Sequence, residues 1–306
     1  MDNSLPSYDV LVAGSYTIDM IFTGLPGMPV MGAEVYATGF DLIPGEAYNS
    51  AVAMHRLGLL VGWAGDFGND DLSQLALLRL RQEGLDDSLF VHHPRPLRRI
   101  SVAASMPADR GFITFYDPDP PVPAIANALL TASARLFYIP GLFAGADLQT
   151  ALTLARAKGM RVAMDGNNGE GVALDHSGVQ EAVQGLDLFL PNAREVRCLT
   201  GESDALEGLR QLGALCPLVV LKDGANGAYA IASSEVIHSP ALPLTPLDTT
   251  GAGDCFNAGF IKAWLDGLPL ETCLRWGNIT GGLSTLAHGG TGRKITPEDV
   301  AHYLNA

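Results

Sequence analysis

Asp248-Thr249-Thr250-Gly251-Ala252-Gly253-Asp254 places an aspartate at each end of five small residues. Gly251, Ala252 and Gly253 leave the backbone bare, so a ligand can approach the amide N–H groups closely. Beyond them Cys255, Phe256, Ala258, Gly259, Phe260, Ala263 and Trp264 recur at helical spacing. A glycine turn therefore opens a helix, with an acid in its first turn. Such a start gathers unpaired N–H groups and the positive end of the helix dipole, which suits a phosphate. Asp254 is then a candidate to accept a proton from a nucleophilic hydroxyl. The plainer reading is a turn whose acid is stabilised by the helix start and does nothing more.

Outward from this turn, apolar strands end in loops rich in Gly, Asp or Asn. Asp9–Ala13 runs into Gly14–Asp19, and Leu60–Ala64 into Gly65–Asp70. Leu136–Ile139 ends in Pro140-Gly141, and Arg161–Met164 in Asp165-Gly166-Asn167-Asn168. Leu188–Leu190 ends in Pro191-Asn192, and Leu218–Leu221 in Lys222-Asp223-Gly224. Helical patterns at Ser50–Leu57, Asp71–Gln82, Leu148–Ala157 and Ala205–Leu215 lie between them. The alternation predicts an α/β fold: a three-layer, doubly wound, mostly parallel sheet with helices on both faces. Right-handed crossovers put the strand C-termini on one edge, where ligands bind in such sheets. Two stretches break the pattern. Ile21–Gly45 has only short apolar pieces, and Arg98–Tyr116 reads as a hairpin turning at Pro107–Gly111. No linker divides the chain, so residues 1–306 are expected to form one domain.

With 306 residues, 47% of them hydrophobic, the chain can bury a substantial core. No apolar run reaches the roughly 18 residues of a membrane span. The start, Met1-Asp2-Asn3-Ser4, does not resemble a signal peptide. Cys198, Cys216, Cys255 and Cys273 form no C-x-x-C pair, so reduced thiols in a cytoplasmic protein are expected. The net charge of −14 argues against nucleic acid as a partner. An anionic ligand would then depend on local donors and a metal ion.

The longer string Asp-Thr-Thr-Gly-Ala-Gly-Asp-Cys-Phe-Asn-Ala-Gly-Phe (248–260) resembles the C-terminal signature of the ribokinase-like (pfkB) carbohydrate kinases. The resemblance runs in order along nearly the whole chain. It implies an ATP-dependent phosphotransferase acting on a hydroxymethyl group of a sugar or related polyol. Gly251, Ala252 and Gly253 would form the anion hole, and Asp254 would be the general base. The irregular stretches would supply a small β-lid, at about 20–45 and 97–117, that closes over the sugar and excludes water. Lids pairing between two copies would make a homodimer.

On the substrate side, Asp19 matches an acid that binds sugar hydroxyls, as a carboxylate accepting two hydrogen bonds can. Pro44-Gly45-Glu46-Ala47-Tyr48-Asn49-Ser50-Ala51 resembles the family's Gly-Gly-x-x-x-Asn-x-Ala, with Pro44 in place of the first glycine. Gly45 and Asn49 would contact substrate. Thr17 and Glu46 stand where ribokinases carry Asn and Lys, which counts against ribose itself. Glu46 would favour an uncharged sugar, although Arg98 and Arg99 on the lid could reverse this. Gly65–Asp70 is expected to be a turn and helix N-cap.

On the nucleotide side, Asn192-Ala193-Arg194-Glu195 resembles the family's Asn-x-x-Glu, with Glu195 holding Mg²⁺ through water. Its alternative is a capping Asn with a surface Glu. Lys222, Gly224 and Gly227 resemble the next strand-turn, where backbone meets nucleotide and Lys222 reaches a phosphate; the alternative is a hairpin turn. Asn278 lies in a helix bordering the adenine. Asp248 and Thr250 match positions that bind K⁺ in some relatives. Two other readings compete: a nucleoside kinase of the same fold, with Tyr16, Tyr48 and Phe112 available to stack a base, and a non-catalytic ligand-binding relative.

Overall fold

The computed structural model describes residues 5–28, 30–106, 110–167 and 171–304. Most of the turn expected at 107–111, Asn168 and the first four residues lie outside them.

Eight strands form the central sheet. Their spatial order is Glu235–Ser239, Ala228–Ala232, Leu218–Lys222, Leu188–Leu190, Arg161–Asp165, Ser133–Ile139, Ser7–Ala13 and Val61–Ala64. The last six are mutually parallel, and the first two add antiparallel to the edge. The parallel strands are near-continuous apolar runs because both faces are covered. Alternate residues of one strand therefore enter different cores. Val10, Val12, Leu136, Tyr138, Leu218 and Val220 pack into one cluster, whereas Leu11, Ala13, Phe137, Ile139, Val219 and Leu221 pack into the other. The doubly wound sheet predicted from the strand–helix alternation is thus present, with helices on both faces.

The two helices nearest the sequence signature, Ala252–Leu265 and Leu270–Ser284, pack closely on one core. Their approach depends on glycine. A Cβ at Gly277 would stand 2.7 Å from the ring of Phe256.

A second sheet has the order Gly39–Glu46, Tyr16–Thr23, Arg99–Ser105, Arg110–Tyr116. It contains the two irregular stretches and the expected hairpin, whose strands pair from Arg99↔Tyr116 to Ser105↔Arg110. One expectation is corrected here. Gly14–Asp19 is not a loop after the first strand. The chain turns at Gly14 and Ser15 and enters a lid strand at Tyr16, so Asp19 sits mid-strand, opposite Ile43 and Ser101. Tyr16, Ile18 and Ile21 are buried, yet Thr17 is too, so no clean period-two pattern marked the strand. The Gly65–Asp70 segment caps a helix as expected: Asp70 accepts from the amides of Leu72 and Ser73 at 3.1 and 3.0 Å.

Candidate active site

The anion loop is set by backbone geometry. Gly251 precedes the helix Ala252–Leu265 with φ +68°, and a Cβ there would overlap Gly290. Only glycine fits this left-handed, crowded position. Among the described residues no carbonyl accepts from the amides of Gly251, Gly253 or Asp254. Ala252 differs from expectation: its N–H donates to Thr249 O at 3.2 Å and closes the turn. The outward donors are thus Gly251, Gly253 and Asp254.

Asp254 occupies the first turn of this helix, and Ser50 Oγ donates to its Oδ1 at 2.5 Å. The residue keeps a partly open surface, but dense surroundings push its carboxyl up to about 7. Burial is the largest cause; Ser50 and the Lys222 charge oppose it, and the Asp165 charge adds to it. Asn49, beside Ser50 on the helix Ala47–Arg56, lies against Gly251 and Gly290, and its Oδ1 is buried with no hydrogen-bond partner. Asp248 accepts from Thr250 N (2.9 Å), Thr250 Oγ1 (2.8 Å) and Gly289 N (2.8 Å). Its carboxylate staples the anion loop to the 289–292 turn.

Beneath the loop lies a polar network. Lys222 Nζ donates to both oxygens of Asp165, at 2.9 and 3.0 Å, and to Asn257 Oδ1 at 3.3 Å. Asn257, one turn past Asp254, donates to Asp165 Oδ2 and to Tyr138 Oη. Lys222, expected to be able to reach a phosphate, has its amine held by Asp165, close under Gly253. A buried ammonium requires a counter-charge, and Asp165 at the strand end provides it.

Asn192 and Glu195 form a reciprocal capping box. Asn192 Oδ1 accepts from Glu195 N at 2.9 Å, and Glu195 accepts from Asn192 N and Nδ2 at 2.7 and 2.6 Å. Glu195 is nevertheless buried, against Gly166, so it is not the surface acid of the alternative reading. Burial and then the Asp165 charge raise its pKa. The segment after Lys222 is a hairpin turn between antiparallel strands. Gly224 faces open space, whereas Gly227 is pressed against the Ser239–Ala241 backbone. Asn278 is likewise occupied: its amide donates to Ser239 O (2.9 Å) and Pro240 O (3.1 Å), anchoring the edge strand.

The lid brings a second set of polar groups over the anion loop. Asp19 lies against Gly45, where a Cβ would collide with its carboxylate. Burial, and then the Glu46 charge, push Asp19 up to about 7. Thr17 Oγ1 is buried without a partner. Glu46 accepts from the Tyr116 hydroxyl, and burial raises its pKa. A cavity of about 310 Å³ opens between lid and body. Asp19, Ile21 and Phe112 line it from the lid; Asp248, Thr249 and Thr250 line it from the body. Asp254 is not among the described residues that line this cavity. Of the three aromatic residues considered for base stacking, only Phe112 faces the cavity. Tyr16 is buried on Phe67, and Tyr48 is in the core.

A family described as pfkB family carbohydrate kinase matches residues 36–297. The chain belongs to the pfkB carbohydrate kinases. The kinase is 26% identical to a ribokinase of Bacillus subtilis, over 97% of this chain and 99% of that one. It is 28% identical to the 2-dehydro-3-deoxygluconokinase of the same organism, over 86% and 87%. Its fold superposes on Arabidopsis thaliana ribokinase, solved with ribose and ATP, with a TM-score of 0.81 at 19% identity, covering 99% of both chains. No described helix of the kinase is long and apolar enough to cross a membrane.

Sequence reasoning passed over Ser50, Asp165 and Asn257. Each carried a faint signal. Asn257 is three residues past Asp254 and so shares its helix face. Asp165 ends a parallel strand on the ligand edge, and Ser50 adjoins Asn49.

Proposed function

We propose that this kinase transfers the γ-phosphoryl group of ATP to a hydroxymethyl group of a sugar or related polyol. The observation that carries this reading is Asp254, a carboxyl raised to about 7 and fixed by Ser50, beside amides that no carbonyl among the described residues accepts from. In this scheme Asp254 removes the hydroxyl proton while Gly251, Gly253 and Asp254 donate to the phosphoryl oxygens. Ser50 keeps the carboxyl aimed. Asp19 and Asn49 Oδ1 accept substrate hydroxyls, with Thr17 beside them and Gly45 giving Asp19 its room. Gly224, open to solvent, borders the nucleotide; Asn278 and Gly227 act by fixing the edge strand.

Magnesium would neutralise the triphosphate. No described cluster of three His, Cys, Asp or Glu residues could hold a metal by itself. Glu195, both of whose oxygens already accept from Asn192, fits a water-mediated contact to a nucleotide-borne ion. A monovalent cation such as K⁺ at Asp248 and Thr250 would have to rely on backbone carbonyls, because the Asp248 carboxylate already takes three donors. The residues 1–306 then act as one catalytic unit in the cytoplasm, with the lid as its cover. Pairing of two lids would shield Phe40, Ile113 and Phe115, which are more than half exposed. Phe112 in the cavity favours a second reading, in which the acceptor is a nucleoside.

The test is ADP release from MgATP against a panel of neutral sugars, sugar acids and nucleosides, with the product identified by mass. Phosphorylation of one acceptor, lost in Asp254→Asn while ATP still binds, is the expected result. Full turnover by that variant would remove Asp254 as the base.

A further inference from the structure

We infer that a relay of hydrogen bonds runs from Lys222 through Asn257, Tyr138 and Ser50 to Asp254. Its middle three members are positioning residues that keep the Asp254 carboxyl ionised and aimed. The relay rests on the kinase reading above only for the task of Asp254. Its members come together from separate elements. Ser50 stands on the helix Ala47–Arg56, and Tyr138 on the strand Ser133–Ile139. Asn257 and Asp254 share the helix Ala252–Leu265, and Lys222 ends the strand Leu218–Lys222. Ser50, Tyr138 and Asn257 are fully buried, so their polar atoms must satisfy one another.

Chemistry fixes the direction of each bond. Lys222 Nζ can only donate, and it meets Asn257 Oδ1 at 3.3 Å as well as both oxygens of Asp165. The other end of the Asn257 amide is therefore Nδ2. Its two hydrogens have two described acceptors, Asp165 Oδ2 at 2.5 Å and Tyr138 Oη at 3.0 Å. An ionised Asp254 can only accept, so Ser50 gives its one proton to Oδ1 at 2.5 Å. Ser50 Oγ keeps its lone pairs and lies beside the Tyr138 hydroxyl. The Tyr138 proton, turned away from the Asn257 amide, goes to Ser50. Burial, then the Asp165 and Asp254 charges, hold the Tyr138 phenol protonated, so this link stays a donor. The groups facing Asp254 act in both directions. Burial pushes its carboxyl up to about 7 and the Asp165 charge adds to that, while Ser50, Lys222 and Asn49 pull it back. Cys255, pushed up to about 12 by burial and then by the Asp254 charge, is a neutral thiol. In a dry interior each bond of such a series strengthens the next. Protonating Asp254 weakens the last acceptor and with it the series, so the relay favours the carboxylate.

The experiment titrates Asp254 in the full-length kinase by NMR of carboxyl-labelled aspartate, its resonance assigned through its loss in Asp254→Asn. Tyr138→Phe removes one hydroxyl and keeps the ring. It is expected to move the titration up by about half a pH unit, because a relay that favours the ionised form holds the folded pKa down. With an acceptor in hand, kcat/KM should follow, falling about threefold near pH 6, with the loss shrinking as pH rises past 8. A merely structural hydroxyl would lower the melting point and leave the titration in place. Ser50→Ala is expected to move the titration by itself and to abolish the further effect of Tyr138→Phe, since it cuts the relay at its last link. An unmoved titration in folded Tyr138→Phe overturns the inference, and so do shifts of the two variants that simply add. Should Tyr138→Phe fail to fold, kinase made with ring-fluorinated tyrosine decides. That residue keeps the hydroxyl and makes it a stronger donor, so Asp254 is expected to titrate lower; an unchanged or higher value overturns the inference. The titration needs no turnover. If the variants shift Asp254 as expected and no acceptor is phosphorylated, the relay stands and the kinase reading falls.

Discussion

Two carboxyls in this molecule are held near pKa 7 by different means. Asp254 stands on a helix in the body, accepts a hydrogen bond from Ser50, and has Lys222 near enough to oppose its rise. Asp19 stands on a lid strand, with burial and the Glu46 charge both acting against its ionised form. The first carboxyl is aimed by its own protein; the second waits for donors that a ligand must bring. On the proposed function, the body would be organised before substrate arrives, and the lid would be completed by it. The body's donors are fixed by strands and helices that share a core, whereas the lid is a four-stranded sheet with exposed aromatic residues.

Asp254→Asn should give the largest effect, lowering kcat on the order of 10³-fold with the ATP dissociation constant little changed, as read by steady-state kinetics and calorimetry. If it lowered nucleotide affinity as much, the body would not be preorganised as described. Next comes Lys222→Met, which leaves Asp165 charged and buried beneath the loop. Their side chains are 12% and 6% exposed, so a loss of about 3–5 kcal/mol in denaturant unfolding is expected.

Asp19→Asn tests the lid in the opposite sense. A carboxyl whose folded pKa is raised from the unfolded 3.8 to about 7 favours the fold below pH 4 and loses that contribution as pH rises through 7. Asparagine carries no such charge. The variant should therefore be more stable than wild type at pH 8, on the order of 2 kcal/mol, and about equal at pH 4, while binding substrate worse. A lower melting point at pH 8 would show that Asp19 is already satisfied without ligand.

Ser50→Ala should cost about tenfold in kcat, roughly the worth of one hydrogen bond to a charged group. In wild type, kcat/KM should climb with pH and level off above about 7, because protonated Asp254 cannot accept a proton. Removing Ser50 should move that limb upward, since its hydrogen bond lowers the Asp254 pKa. Arg98→Ala is the smallest case: its half-exposed pair with Asp117 should leave the melting point unmoved.

The strands at Asp9–Ala13, Leu188–Leu190 and Leu218–Leu221 were legible because burial on two faces writes an unbroken apolar run. The anion turn was legible because only glycine tolerates φ +68° against Gly290. These are local demands, and they fixed the α/β class, the family resemblance and Asp254. The partner of Lys222 was not legible, because Asp165 lies 57 residues away and meets it only across the sheet, over the end of the intervening strand Leu188–Leu190. Nor could sequence tell that Ala252's amide turns inward, that Asn278 and Gly227 fasten a strand, or that Arg98 is paired with Asp117 and Arg99 with Asp119. Each depends on which neighbour reaches a polar group first. Hydrogen bonds and charges are decided by distances of a few ångströms between segments remote in the chain, and only the folded arrangement sets those.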